Sequence, residues 1–217
     1  MFSKAKILML CALLLTLGSL PGSAQQTIDL PRPQTDGGKP LMQVLKSRQS
    51  GREFLPDKLP LPLLSNLLWA AWGVNRADGR RTAPSASNRQ ELEIYVVLPD
   101  GAYRWDAKQN QLEPVAPGDL RAVTASSSQM WAAAAALNLV YVADYAKMGG
   151  QSDQNKAVTA AADSGFIAQN VYLFCASEGL STVVRGGLDR TALEKALKLR
   201  PEQHVTYAQS VGYPKGK

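Results

Sequence analysis

Polar and apolar positions change period several times along this chain, and each change marks an element. Leu41, Val44, Leu45 and Arg48 recur at i, i+3, i+4 and i+7, which predicts a first helix opened by Pro40. Leu64, Leu67, Leu68, Ala71 and Trp72 share one face of a second helix, with Gly73 as its stop. Residues 75–90 are rich in Arg, Ser, Asn and Gly and read as a loop. The period then drops to two. Ile94, Val96 and Leu98 alternate, as do Tyr103 and Trp105, and Leu112 and Val115 follow. Pro99-Asp100-Gly101 and Lys108–Asn110 punctuate these runs, giving an antiparallel meander.

Residues 119–136 read as helix, and residues 138–145 as a strand rich in Val, Tyr and Leu. The longest helix is expected over residues 153–178, with Gly179 as its stop. Ala157, Ala161, Phe166, Ile167, Val171, Leu173 and Phe174 make it apolar on almost every side. Such a helix is either a central core element or one shared with a second subunit. A short strand over residues 182–184, a helix over 191–199 capped by Asp189, and a strand through Val205, Tyr207 and Val211 complete the pattern.

The N-terminus stands outside this pattern. Lys4 and Lys6 precede an apolar run from Ile7 to Leu17, and Pro21-Gly22-Ser23-Ala24 supplies small residues before Gln25. That order predicts a secretory signal over residues 1–24, cleaved after Ala24, and hence a secreted or periplasmic protein. The apolar run is shorter than the roughly 20 residues a membrane span needs, so no stable membrane span is expected after cleavage. Residues 25–39, with Pro31, Pro33, Gly37 and Gly38, read as an extended arm, and residues 40–217 as one domain. Of Cys11 and Cys175, only Cys175 would survive cleavage, so no internal disulfide is available. Its setting, VYLFCA, suits a small buried hydrophobe.

Charge and motifs remove several function classes. The formal net charge of +6 is mild and scattered, and lacks the basic stripe with aromatics that nucleic-acid binding wants. His204 is the only histidine, so a metal site lacks ligands and a Ser-His-Asp site lacks support. P-loop and dinucleotide-binding glycine fingerprints are absent. What remains is anion-holding chemistry at separated places: Arg48, Ser50 and Arg52 after the first helix; Ser85, Ser87 and Asn88 in APSASNRQ; and Lys215 and Lys217 at the end. Guanidinium groups grip phosphate with two prongs, and a hydroxyl adds a donor.

Taken in order, these pieces resemble the FMN-dependent nitroreductase family. The matching elements are Arg48-Gln49-Ser50-Gly51-Arg52, the Pro84-Ser85 loop with Asn88, the turn VVRGGLD with Gly186 and Gly187, and the tail Pro214-Lys215-Gly216-Lys217. The segment LLWAAWGVNR…RRTAPSA…LEIYVVLPDGAYRWD looks most like the thiazoline/oxazoline dehydrogenase-like branch. The resemblance implies an α+β, nitroreductase-like fold: a central antiparallel-rich sheet packed by helices, around a long buried central helix. It implies an FMN-dependent oxidoreductase, usually a homodimer, that passes electrons from a small-molecule donor to a small-molecule acceptor in two half-reactions. It implies phosphate contacts from Ser50, Arg52, Lys215 and Lys217, a place for Arg48 near the ribityl chain or ring, contacts from Pro84, Ser85 and Asn88, and ring-facing amides near Gly186 and Gly187. No catalytic side chain is required, because the chemistry lies on the flavin. Two alternatives stay open at this point: a flavin- or partner-binding module without redox activity on the same fold, and a secreted basic domain that binds anions.

Overall fold

The computed structural model describes residues 25–216. The leader expected over residues 1–24, and Lys217, lie outside the described residues.

Seven strands form one sheet in the order β1-β4-β3-β2-β5-β7-β6, and every neighbouring pair is antiparallel. The expected meander is present as β2 (Leu92–Leu98), β3 (Gly101–Asp106) and β4 (Gln111–Pro117). Within the arm, Ile28–Asp29 forms β1 and adds an edge strand to β4. The other half of the sheet is β5 (Leu137–Asp144), β6 (Ser181–Arg185) and β7 (Gln203–Gly212).

Alternation along the strands builds a core on each face. Ile94, Val96, Leu139 and Tyr141 face one side, where they join Leu64, Leu67, Leu68 and Trp72 of α2 (Leu61–Trp72). Tyr95, Val97, Val140 and Val142 face the other, with Leu193 from α4 (Arg190–Ala196). All residues of β5 are buried, as befits a strand covered on both faces. Asp189 caps α4 by accepting from the Ala192 N–H at 3.0 Å.

The central helix α3 runs Asp153–Glu178. Ser152 caps its start, accepting from the Asn155 N–H, and Gly179 ends it in the left-handed conformation at φ 74°, which glycine adopts without strain. Of the two readings of α3, burial on all sides within one chain is corrected. Ile167, Ala168, Val171 and Cys175 are buried, but Phe166 is 47% exposed and Val158 66% exposed. Nearby α1 (Leu41–Ser47) packs on α3 through buried Val44, and leaves Leu41, Met42 and Leu45 exposed.

The helix expected over residues 119–136 is also corrected. Two 3-10 segments, Arg121–Thr124 and Ser127–Ala134, occupy it, separated by extended residues at Ala125 and Ser126. Side chains hydrogen-bond to carbonyls along this stretch and hold it in its broken form. Arg185 donates to the Thr124 carbonyl, Asn138 to Ala132 at 3.0 Å, and Arg121 to Ala135 at 2.8 Å. Among the described residues, no helix is long and apolar enough to cross a membrane.

Candidate functional site

Past α1 the chain becomes extended at Arg48 and crosses the end of the sheet. Gly51 donates its N–H to the Thr182 carbonyl at 3.0 Å, and Leu55 donates to Tyr213 at 2.9 Å. Lys215 in turn donates to the Glu53 carbonyl at 3.2 Å, and Phe54 bridges Pro214. Gly51 is needed for this close passage, because a Cβ there would lie 1.9 Å from the Ser181 hydroxyl and 3.2 Å from its Cβ.

This crossing joins two distant pieces of sequence. Arg52 and Lys215 line one cavity of about 450 Å³ with Phe54 and Trp131. The two rings stack with centroids 6.2 Å apart and planes 26° apart. Trp131 also lies under the Arg185 guanidinium, 5.8 Å from its ring centre. Gly186 and Gly187 follow Arg185 as exposed residues, and the Gln129 amide lies 3.8 Å from where a Gly187 Cβ would stand. Residues from the first helix end, the glycine turn and the C-terminus therefore converge around residues 129–131.

Arg48 and Ser50 are placed differently. Neither lines the Arg52–Lys215 cavity. The Ser50 hydroxyl is 2.9 Å from the Tyr172 hydroxyl, and the Arg48 guanidinium sits 5.2 Å from the Tyr172 ring centre. That same Tyr172 oxygen accepts from the Val184 N–H at 3.0 Å, so α3 and β6 hold Tyr172, and Tyr172 holds both residues.

The Pro84-Ser85-Asn88 loop lies further along α3. Ala86 donates its N–H to Asp163 Oδ2 at 2.9 Å. The Ser85 hydroxyl accepts from the Gln90 N–H at 3.0 Å, and Asn88 Oδ1 accepts from Gln90 Nε2 at 3.1 Å. Ser87, Asn88 and Gln90 all adopt positive φ, near 50°. Three such non-glycine residues in one loop store backbone strain. Asp163 and Tyr172 are nine positions apart on one helix, about 13 Å of rise. This loop and the Arg48–Ser50 segment are thus pinned to separate parts of α3.

Sequence reasoning passed over Tyr172, Trp131, Arg185, Glu91 and Asp163. Tyr172 is hidden in an apolar run, and Trp131 in an Ala/Ser stretch that reads as helix. Arg185 had one usable signal, a charge directly before Gly186-Gly187 on a buried strand. It is 3% exposed, and burial pushes its guanidinium down to about 10. Besides Thr124 it donates to Asn138 Oδ1 at 2.9 Å, an oxygen that also accepts from the Ser210 hydroxyl at 2.6 Å. Cys175 is a buried free thiol pushed upward by burial, and His204 stands beside Tyr145 with ring centres 4.3 Å apart.

The chain matches the Nitroreductase family over residues 45–213. It is 30% identical over 182 residues to a protein of Methanocaldococcus jannaschii named as a nitroreductase, covering 80% of this chain and 91% of that one. A crystal structure described as a nitroreductase from Ralstonia eutropha superposes with a TM-score of 0.84 at 40% identity, covering 90% of this chain and 93% of the other. An NADPH:FMN oxidoreductase from Vibrio harveyi, solved with NAD+, shares the fold at a TM-score of 0.60 and 22% identity, over 81% of this chain and 69% of that one. The extent of the family match, with the agreement in fold and sequence along nearly the whole domain, shows that this chain belongs to the nitroreductase family.

Proposed function

We propose that this protein is an exported FMN-dependent oxidoreductase, working as a homodimer on a small-molecule electron donor and acceptor. The observation that carries this reading is the convergence of Arg52 and Lys215 on one cavity beside the stacked Phe54–Trp131 pair. Arg52 and Lys215, which outnumber the one carboxylate of the lining, Glu53, together with the aromatic rings and the nearby side-chain-free backbone at Gly186-Gly187, suit a planar ligand with a phosphate tail. FMN, when bound, supplies the hydride and electron transfer.

The chain's own residues bind and orient. Arg52 and Lys215 hold the phosphate, and Lys217 extends the same tail. Ser50 and Arg48, fixed by Tyr172, border the phosphate and ribityl side. A cation at Arg48 also favours negative charge on a reduced ring. Gly186 and Gly187 bring backbone amides to the ring without a side chain in the way. Pro84, Ser85 and Asn88 reach this site from a second copy of the chain, across the apolar face that exposes Phe166, Leu41, Met42 and Leu45. The branch we favour is the thiazoline/oxazoline dehydrogenase-like one, on the resemblance of the segment from Leu67 to Asp106. A leader over residues 1–24 directs the protein to the periplasm or outside the cell, where a donor other than cytoplasmic NAD(P)H would be needed.

The test is the visible spectrum of the purified protein and the identity of any cofactor it releases. One FMN per chain, reducible by an added donor, is expected. In Arg52→Gln/Lys215→Gln, loss of two charge-assisted contacts should weaken FMN binding by about a hundredfold. A colourless protein that takes up no added FMN would overturn the proposal. A protein that binds FMN but accepts electrons from no donor would leave only a flavin-binding module.

A further inference from the structure

A second cavity, with no lining residue in common with the Arg52–Lys215 cavity, opens where the loop before β2 meets the end of β3, and has a volume of about 470 Å³. Five cationic side chains line it: Arg81, Arg89, Arg104, Lys108 and Lys147. Its carboxylates are Glu93 and Asp106. Glu93 lies 3.8 Å from both Arg104 and Lys147, and also accepts from Gln203 Nε2 at 2.8 Å. Asp106 Oδ1 accepts the N–H groups of Lys108 and Gln109 at 2.7 and 3.0 Å. Glu113, which is not part of the lining, pairs with Arg104. Even with Glu113 counted, positive charge is in excess.

Arg81 shows the imbalance most directly. No carboxylate pairs with it among the described residues. It donates through Nη1 to the Trp72 carbonyl at 2.9 Å and through Nε to Gln90 Oε1 at 2.8 Å, and covers the Trp72 ring at 5.1 Å. Burial pushes its pKa down, and Asp106 offsets only part of that. A half-buried cation held by neutral acceptors, in a wall with more cations than anions, is a site that an incoming anion stabilises.

We infer that this cavity is a binding site for a small phosphate-bearing metabolite. Planar guanidinium groups match phosphoryl oxygens in two-pronged pairs, and lysines add point charges. The volume exceeds what a lone phosphate needs and lies in the range of small-ligand pockets. A strand of nucleic acid is a poorer fit, because Trp72 and Trp105 are buried and offer no face for base stacking. The loop supplies Asn88, Arg89 and Gln90 to the wall, so occupancy would also fix the loop that Asp163 anchors.

The experiment is calorimetric titration of the full chain with inorganic pyrophosphate at low and raised NaCl. Wild type is compared with Arg89→Gln/Lys108→Gln and with Arg52→Gln/Lys215→Gln, after thermal melts establish that each is folded. Arg81→Lys, which keeps charge but loses the fork, is the further variant. The expected result is one saturable site, weakened by salt and by about tenfold or more in Arg89→Gln/Lys108→Gln, weakened in Arg81→Lys, and retained in Arg52→Gln/Lys215→Gln. No saturable binding, loss confined to Arg52→Gln/Lys215→Gln, or equal loss in both double variants would overturn the inference. Because the two cavities are probed by separate variants, failure here leaves the FMN proposal standing, and the reverse also holds.

Discussion

Glu91→Gln should remove a pH dependence of stability that the fold itself creates. The Glu91 side chain is fully buried, and neither carboxyl oxygen has a hydrogen-bond partner among the described residues. Its pKa is raised from 4.5 to about 7, chiefly by burial; the neighbouring Asp163 adds to the rise, and the Glu91 backbone N–H and Arg89 partly offset it. Two carboxyls so placed do not ionise together readily. Glu91, whose oxygens accept no hydrogen bond among the described residues, holds its proton in the folded state up to about pH 7. The sign follows. The folded state holds this proton more tightly than the unfolded chain, so the contribution is fully present below 4.5 and is lost as pH rises through about 7. At about 1.4 kcal/mol per pH unit the full gap corresponds to about 3 kcal/mol, of which roughly 2 kcal/mol is lost between pH 5 and 8.5. Urea unfolding followed by circular dichroism from pH 5 to 8.5 measures it. Wild type should lose about 2 kcal/mol relative to Glu91→Gln across that range, and taking the difference cancels every other titrating group. Parallel stability profiles for the two proteins would refute the reasoning.

Two further outcomes follow from single contacts. Tyr172→Phe removes the acceptor of the Val184 N–H and the partner of Ser50, and should cost about 1–2 kcal/mol in urea unfolding; if FMN affinity also falls while Ser50→Ala has no effect, Tyr172 acts through Arg48. Phe166→Asp places a charge on the exposed face of α3, and should convert the proposed dimer to a folded monomer in sedimentation velocity, whereas an unchanged sedimentation coefficient would place any subunit contact elsewhere.

The sheet was largely legible because its signals are local. Pro99-Asp100-Gly101 and Lys108–Asn110 sit where the chain turns between β2, β3 and β4. The ends of α3 were readable from Gly179 and from the start of the periodic pattern. What failed depended on tertiary contacts. Residues 119–136 have helical composition, but Arg185 and Asn138 reach their carbonyls from other parts of the chain, and Arg121 from within the segment. The apolar residues around α3 also overstated its burial, because hydropathy does not say whether the covering surface comes from the same chain.

The candidate site shows the same divide. Arg52 and Lys215 were readable as anion-liking residues, but only the backbone contacts of Leu55 with Tyr213 and Lys215 with Glu53 bring them together. Ser50 was readable as a donor, whereas its fixed direction comes from Tyr172, which has no sequence signature. The loop at Pro84–Asn88 poses the sharper question. Ala86 is tied to Asp163 and Ser50 to Tyr172, so one helix sets about 13 Å of rise between their anchors. Phe166, exposed, lies on α3 between those anchors. The strained φ angles at Ser87, Asn88 and Gln90 mark this loop as one held for a ligand; if the second copy proposed above packs on the Phe166 surface, Phe166→Asp should lower FMN affinity in step with the loss of the dimer.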